Sequence, residues 1–284
     1  MNLLKEKLID FIAYLKVLRV LVVGTFVCSK KAFWFSDANN FGDVLTPHLF
    51  NFLGVNKLVK IDTQYYAFEN YITIGSILSK ANERSIVWGT GFISEDSYFK
   101  NGKPKKVCAV RGPKTRKKLL EFGVKCPEVY GDPALLLPRF YEPKKESKKY
   151  KLGIIPHYID KDNEWLGLIK REDVLIIDIQ NKNIFEFIDQ VNRCEKIISS
   201  SLHGIIVGDA YGIPSLWVEF SQKIMGKGFK FLDYFQSVGR KDKVAIRIDE
   251  SISIKYLLNC FYHYEIQIDL TKLIESCPFR NNTP

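Results

Sequence analysis

Short apolar runs alternate with helix-like segments along most of this chain, and after an interruption at residues 138–151 the alternation starts again. Strands joined through helices build parallel sheets covered on their faces, because a parallel pair needs a long crossover connection. In the first block, strand-like runs fall at 20–27 or 32–35, 71–74, 85–88 and 106–110. Helices are read there at 44–53, closed by Gly54, and at 113–122, opened by Pro113 and closed by Gly123. In the second block strands are read at 152–155, 174–177, 196–198 and 215–218, with helices at 184–192 and 204–211. The interruption itself is charged, carries Pro138 and Pro143, and has little apolar content, so it reads as a linker. The expected fold is α/β, with two Rossmann-like domains at residues 1–142 and 150–284 and a cleft between them. The terminal helices of the second domain are expected to pack back on the first.

Composition narrows the partners. At 284 residues, with 46% hydrophobic and 26% charged side chains, the chain can bury two modest cores. A formal net charge of +10 favours an anionic partner. No zinc-finger spacing, aromatic RNA-binding strand or long basic helix is present, so nucleic acid is not expected. Lysine runs at 103–106 and 144–151 read as solvated loops. Six dispersed cysteines without a CxxC pair suit reduced thiols in a cytoplasmic protein, and four dispersed histidines show no metal-ligand spacing. At the start of the chain, Leu4, Leu8, Phe11, Leu15 and Leu18 share a helix face, while Asp10, Lys16 and Arg19 make a spanning helix costly. This reads as an amphipathic helix, docked on the first domain or in peripheral contact with a membrane surface.

The richest stretch is Ile197-Ile-Ser-Ser-Ser-Leu-His203-Gly204, continuing to Tyr211-Gly-Ile-Pro214. It reads as a strand end, a small-residue turn and a new helix with His203 at its start. Free amides and the positive dipole end at such a start favour an anion, and an imidazole there can trade a proton near neutral pH. Gly204, lacking a Cβ, allows close approach to the backbone. Other polar clusters also follow apparent strands: Asn40-Phe-Gly-Asp43, Arg111-Gly-Pro-Lys-Thr115, Gly131-Asp-Pro133, and His157 after Ile154-Ile-Pro156. Ligands of open α/β sheets bind at the carboxyl ends of strands, which is where these clusters fall. Asp43 and Asp132 can each orient His203 or bind sugar hydroxyls, or else cap a helix or shape a turn; the structural reading is favoured for Asp132, and Asp43 reads equally either way.

As an ordered set these motifs resemble the polysaccharide pyruvyl transferase family. The match runs from about Phe33 to the Asp233 region, adds the Gly228-Phe-Lys-Phe-Leu-Asp-Tyr234 stretch, and is kept in character by Ile268-Asp-Leu-Thr-Lys-Leu-Ile274. The resemblance implies a glycosyltransferase-B-like arrangement and transfer of pyruvate from phosphoenolpyruvate to a sugar, forming a ketal. Many relatives have an arginine where this chain has Ser201, so donor phosphate must rest on Arg111, His157, Lys227 or the helix start.

The chemistry fits the residues. An arginine fork such as Arg111 can hold carboxylate or phosphate bidentately, and His203 is the group expected to give and take protons. Asn40, Asp43, Ser201, Gly204 and Lys227 are the further substrate-binding expectations, and neither a metal nor a cofactor beyond the donor is expected. The acceptor expected is a surface glycan, such as a capsular or exopolysaccharide, or its lipid-linked precursor. Two other classes compete. A nucleotide-sugar glycosyltransferase of the same architecture would use Glu219 for the ribose, and a non-catalytic carbohydrate binder would use the tryptophans.

Overall fold

In a computed structural model of the chain, residue 18 and residues 29–279, apart from 37, 39, 66, 67 and 144–146, are described. The amphipathic helix expected at the start, except for an exposed Leu18, lies outside these residues, as do the run 20–27 and Cys28. Among the described residues, no helix is long and apolar enough to cross a membrane.

Two five-stranded sheets lie on either side of the Pro-containing interruption. The first is built from β1 (Lys30–Phe33), β2 (Leu58–Lys60), β3 (Asn70–Ile72), β4 (Ser85–Trp88) and β5 (Lys106–Ala109), in the order β2-β1-β3-β4-β5. The second comprises β6 (Leu152–Ile155), β7 (Val174–Ile176), β8 (Ile197–Ser199), β9 (Ser215–Glu219) and β10 (Ile246–Arg247), in the order β10-β9-β8-β6-β7. Every pairing is parallel. Read from the other edge, the second sheet repeats the first: second strand, first, third, fourth, fifth. This doubly wound order reverses direction between β1 and β3 in one sheet and between β6 and β8 in the other. Such switch points are where loops diverge and ligands enter.

The strands are apolar because both faces are covered; β4, β6 and β8 are buried at every position. Helices take their expected stripes. In α4 (Ile184–Asn192), Ile184, Phe187, Ile188 and Val191 face inward, and the N-cap Asn183 accepts from Phe185 and Glu186. The first helix, α1 (Phe41–Phe52), begins three residues before the expected start. Asn40 and Asp43 form a capping box that draws Phe41 and Gly42 into the helix. The other helices of the site are α2 (Pro113–Glu121), α5 (Leu202–Ala210) and α6 (Phe229–Ser237); the short α3 (Glu164–Gly167) follows β6. Eight consecutive residues of α5, Leu202 to Asp209, are buried. This all-round burial follows from its place between the second sheet and the 3-10 segment Pro133–Arg139.

The halves share one core. Phe41 of α1 lies 4.5 Å from Phe187 of α4, and its amide donates to the Ile179 carbonyl after β7 at 2.7 Å. Beyond α7 (Ile254–Asn259), the closing helix α8 (Leu270–Glu275) returns to the first sheet. There Trp88 Nε1 donates to the Leu273 carbonyl at 2.9 Å and Phe279 packs on Phe50 and Tyr71.

Candidate functional site

Residues that follow strand ends in one sheet meet those that follow strand ends in the other. From the first sheet come Gly42 after β1, Ser76 after β3, Phe92 and Ile93 after β4, and Arg111 and Gly112 after β5. From the second come His157 after β6, Ile179 after β7, the Ser200–His203 turn after β8, and the Gly226–Asp233 segment after β9. Parallel strands all point their carboxyl ends one way, so each sheet collects its loops on a single edge.

His203 is the second residue of α5 and is 8% exposed. Its ring rests on the start of α1. A Cβ added to Gly42 would stand 2.5 Å from Nδ1 and overlap Cε1, and the Phe41 ring centroid lies 6.4 Å away. On the other side, Nε2 lies 3.6 Å from Asp132 Oδ2, an ion-pair distance longer than a direct hydrogen bond. Both atoms are buried and have no hydrogen-bond partner in the described structure. Two orphaned polar atoms facing one another in a buried site are held there at a cost, which makes the pair the candidate for chemistry. Asp132 also does the structural work expected of it, its Oδ1 accepting from the Ala134 amide at 3.0 Å. Asp132 therefore holds a turn with one oxygen and faces His203 with the other.

This seat carries a prediction. Gly42→Ala would push the imidazole off α1, and misplacing a catalytic group by about 1 Å can cost about a hundredfold in rate. The expected result is a folded variant with turnover down by about that factor and a displaced His203 ring in its crystal structure. Unchanged turnover would show that this seat does not matter.

The other expected site residues divide. Asn40 Oδ1 accepts from the amides of Gly42 and Asp43, and Asp43 Oδ2 accepts from the Asn40 amide at 3.3 Å, so both build the entrance of α1 that carries Gly42. Gly204 is closed to a ligand on its Cβ side, where an added carbon would overlap Ser199 Oγ and sit 3.0 Å from Ile155 Cγ2. The close approach it permits is that of α5 to its own sheet. Ser201 is the N-cap residue of α5 but makes no side-chain cap, and its amide donates to Ser199 Oγ. Lys227 is exposed, at φ 44°, between two left-handed glycines, Gly226 and Gly228, in the loop leading to α6.

Arg111 does not reach solvent. Its guanidinium is fully buried, with Nε 2.9 Å from Asp233 Oδ2, Nη1 2.7 Å from Ser76 Oγ and Nη2 2.6 Å from the Phe92 carbonyl. Asp233 also accepts from the Thr115 amide at 2.8 Å and its hydroxyl at 2.7 Å. The expected donor-gripping fork is thus spent on tying α6 to the edge of the first sheet. Sequence reading had no means of pairing Arg111 with a carboxylate 122 residues away.

His157 stands beside the β6/β8 switch point, half-buried. Its amide donates to Ser200 Oγ at 2.7 Å, and its Nδ1 accepts from the Ile159 amide at 3.3 Å. Burial, reinforced by the Lys230 ammonium, holds its pKa down to about 4. The ring is therefore neutral at pH 7, with its hydrogen on Nε2, because Nδ1 is the acceptor.

Among the described residues, no group of three or more His, Cys, Asp or Glu side chains converges as a metal site would require. The described cysteines are free thiols, and burial pushes those of Cys126 and Cys194 up to about 12. Neither is placed to act as a nucleophile.

Comparison with known proteins agrees with the motif pattern. Residues 14–222 match the family model for polysaccharide pyruvyl transferase. The chain is 34% identical over 209 residues to an uncharacterized protein of Acanthamoeba polyphaga mimivirus, covering 70% of each. It is 28% identical over 220 residues to the succinoglycan biosynthesis protein ExoV of Rhizobium meliloti (strain 1021), covering 74% of this chain and 65% of that one.

Proposed function

The chain belongs to the polysaccharide pyruvyl transferase family, and on that premise we propose that it transfers pyruvate from phosphoenolpyruvate to a glycan as a ketal. The observation that carries this reading is the seat of His203, held between Gly42 and Asp132 where loops from both switch points meet. The reaction needs one group that moves protons both ways. A sugar hydroxyl attacks the central carbon of the enol while the methylene carbon takes up a proton and becomes methyl. A second hydroxyl then forms the other C–O bond as the C–O bond to phosphate breaks. Two hydroxyl protons are lost; one is needed by the methylene and the other leaves with phosphate. His203 is the carrier: its imidazole accepts the first hydroxyl's proton and delivers one to the methylene. Asp132 faces Nε2 and stabilises the imidazolium formed between those steps, leaving Nδ1 for the substrate.

The two like-ordered sheets, with their carboxyl edges in contact, support a glycosyltransferase-B-like pair of lobes at 1–142 and 150–284 with the donor between them. Similarity to a succinoglycan biosynthesis protein supports a surface polysaccharide, or its lipid-linked precursor, as acceptor. A phosphoenolpyruvate donor calls for a cytoplasmic reaction, and buried free thiols agree with a reducing compartment.

The test is release of phosphate from phosphoenolpyruvate by purified protein, with and without candidate oligosaccharides, and mass analysis of the glycan. Acceptor-dependent phosphate release with a pyruvylated product is expected. Consumption of a nucleotide sugar with no use of phosphoenolpyruvate would replace this reading by the glycosyltransferase one. Glycan binding with no turnover of either donor would replace it by the carbohydrate binder.

A further inference from the structure

The five parallel strands of the first sheet all start on one edge, opposite the edge that carries the candidate site. Positive charge gathers there. The starting ends carry Lys57 before β2, Lys30 in β1, Arg84 before β4, and Lys103, Lys105 and Lys106 at β5, all of them exposed. The exposed carboxylates at these strand starts are Glu69 and Glu83, and Glu69 is taken by Lys105 at 2.9 Å. Among the described residues no carboxylate pairs with Lys57, Arg84, Lys103 or Lys106. The registers Lys30↔Leu58, Ala32↔Tyr71, Asn70↔Ser85 and Ile86↔Lys106 keep the five starts level. Five strands about 4.8 Å apart make this a row about 20 Å wide. Like charges on neighbouring strands repel one another, and an anionic surface relieves that repulsion.

The edge is not purely polar. Phe68, just before β3, is 40% exposed, with Lys31 Nζ 6.0 Å from its ring centroid. The chain also enters the first sheet here, at Lys30. The sequence that precedes it carries Lys5, Lys7, Lys16 and Arg19 beside Leu4, Leu8, Phe11, Leu15 and Leu18, and Leu18 is exposed. Cations with apolar side chains among them suit a surface that is charged outside and apolar beneath, because binding there scales with buried apolar area plus attraction to anionic headgroups. A nucleic acid would use the cations but not the leucines.

We propose that the amino edge of the first sheet docks the protein on an anionic lipid bilayer, with the basic, leucine-rich segment before β1 meeting the same surface. The opposite edge, with His203, stays free. This assignment does not depend on the reaction proposed above.

Co-sedimentation of the full chain with lipid vesicles tests it. Wild type should bind phosphatidylcholine vesicles containing about 30% phosphatidylglycerol and leave pure phosphatidylcholine vesicles largely unbound. Raising salt from about 0.1 to 0.5 M should weaken the binding, since screening shortens the reach of each charge. A cation near an anionic bilayer contributes about fivefold to binding, so the triple variant Arg84→Gln, Lys103→Gln, Lys106→Gln should bind about 100-fold more weakly. The matched variant Lys170→Gln, Lys241→Gln, Lys255→Gln, which removes three exposed cations from the second lobe, should bind as wild type does. Circular dichroism checks that both fold, and the comparison of anionic with neutral vesicles decides the matter on wild type alone if the edge variant does not. Undiminished binding by the folded edge variant, or an equal loss in the matched variant, would overturn the assignment to this edge. Equal binding of wild type to neutral and anionic vesicles would overturn it too, as would binding of duplex DNA without binding of anionic vesicles.

Discussion

His203→Ala lowers pyruvyl transfer by about two to four powers of ten, the usual contribution of a positioned acid–base group. The side chain touches Gly42 and faces Asp132, and among the described residues it makes no hydrogen bond whose loss would unfold α5. Stability should change little. The effect should fall on turnover rather than on the Michaelis constant for phosphoenolpyruvate. Asp132→Asn should give a smaller loss, since the carboxylate facing Nε2 is gone. Steady-state kinetics across pH 5–9 on purified, folded variants would check both. Near-normal turnover of His203→Ala would remove the imidazole from the mechanism.

The second large effect is on folding. Arg111 and Asp233 are both fully buried, and each satisfies further polar groups, Ser76 and Phe92 on one side and Thr115 on the other. Removing one partner leaves a charge buried without compensation, which typically costs about 3–5 kcal/mol. Asp233→Ala should show it most clearly, because it strands the guanidinium and also frees the Thr115 amide. In a chain of this size the melting temperature should fall by roughly 10 °C or more. Arg111→Lys keeps the charge but cannot make the three-way contact with Asp233, Ser76 and Phe92, so it should fall between wild type and Asp233→Ala. Thermal unfolding followed by circular dichroism measures this. An Asp233→Ala melting temperature within 2 °C or so of wild type would show that the pair contributes little.

Much of the architecture was legible because it is local. The helix read at 184–192 and the strand read at 85–88 coincide with α4 and β4, since apolar spacing and a cap lie within the segment itself. The linker-like interruption falls between the two sheets. Edge strands were less visible: β2 and β10 are two or three residues long, half-solvated, and too short for a period to show. The start of α1 was placed late because Asn40-Phe-Gly-Asp43 reads as a loop until its two ends are seen to cap one another. Helices α7 and α8 were not assigned residue by residue.

At the site, the sequence by itself determined which residues lie after strand ends. That was enough to bring out His203 and His157, because parallel strands deliver every such loop to one edge. It could not determine what each side chain meets on the facing edge. Arg111 looked like a donor ligand from its position after β5, but a carboxylate from α6 takes its fork. Gly204 looked open to a ligand but is filled by its own sheet, whereas Gly42 leaves room for an imidazole 161 residues away. Asp132 was read as favouring a turn, and it comes to face His203 because α5 packs against the segment that follows it. The reason is one of range. Capping and periodicity act within about a dozen residues, whereas contacts between two sheet edges depend on how the whole chain has packed.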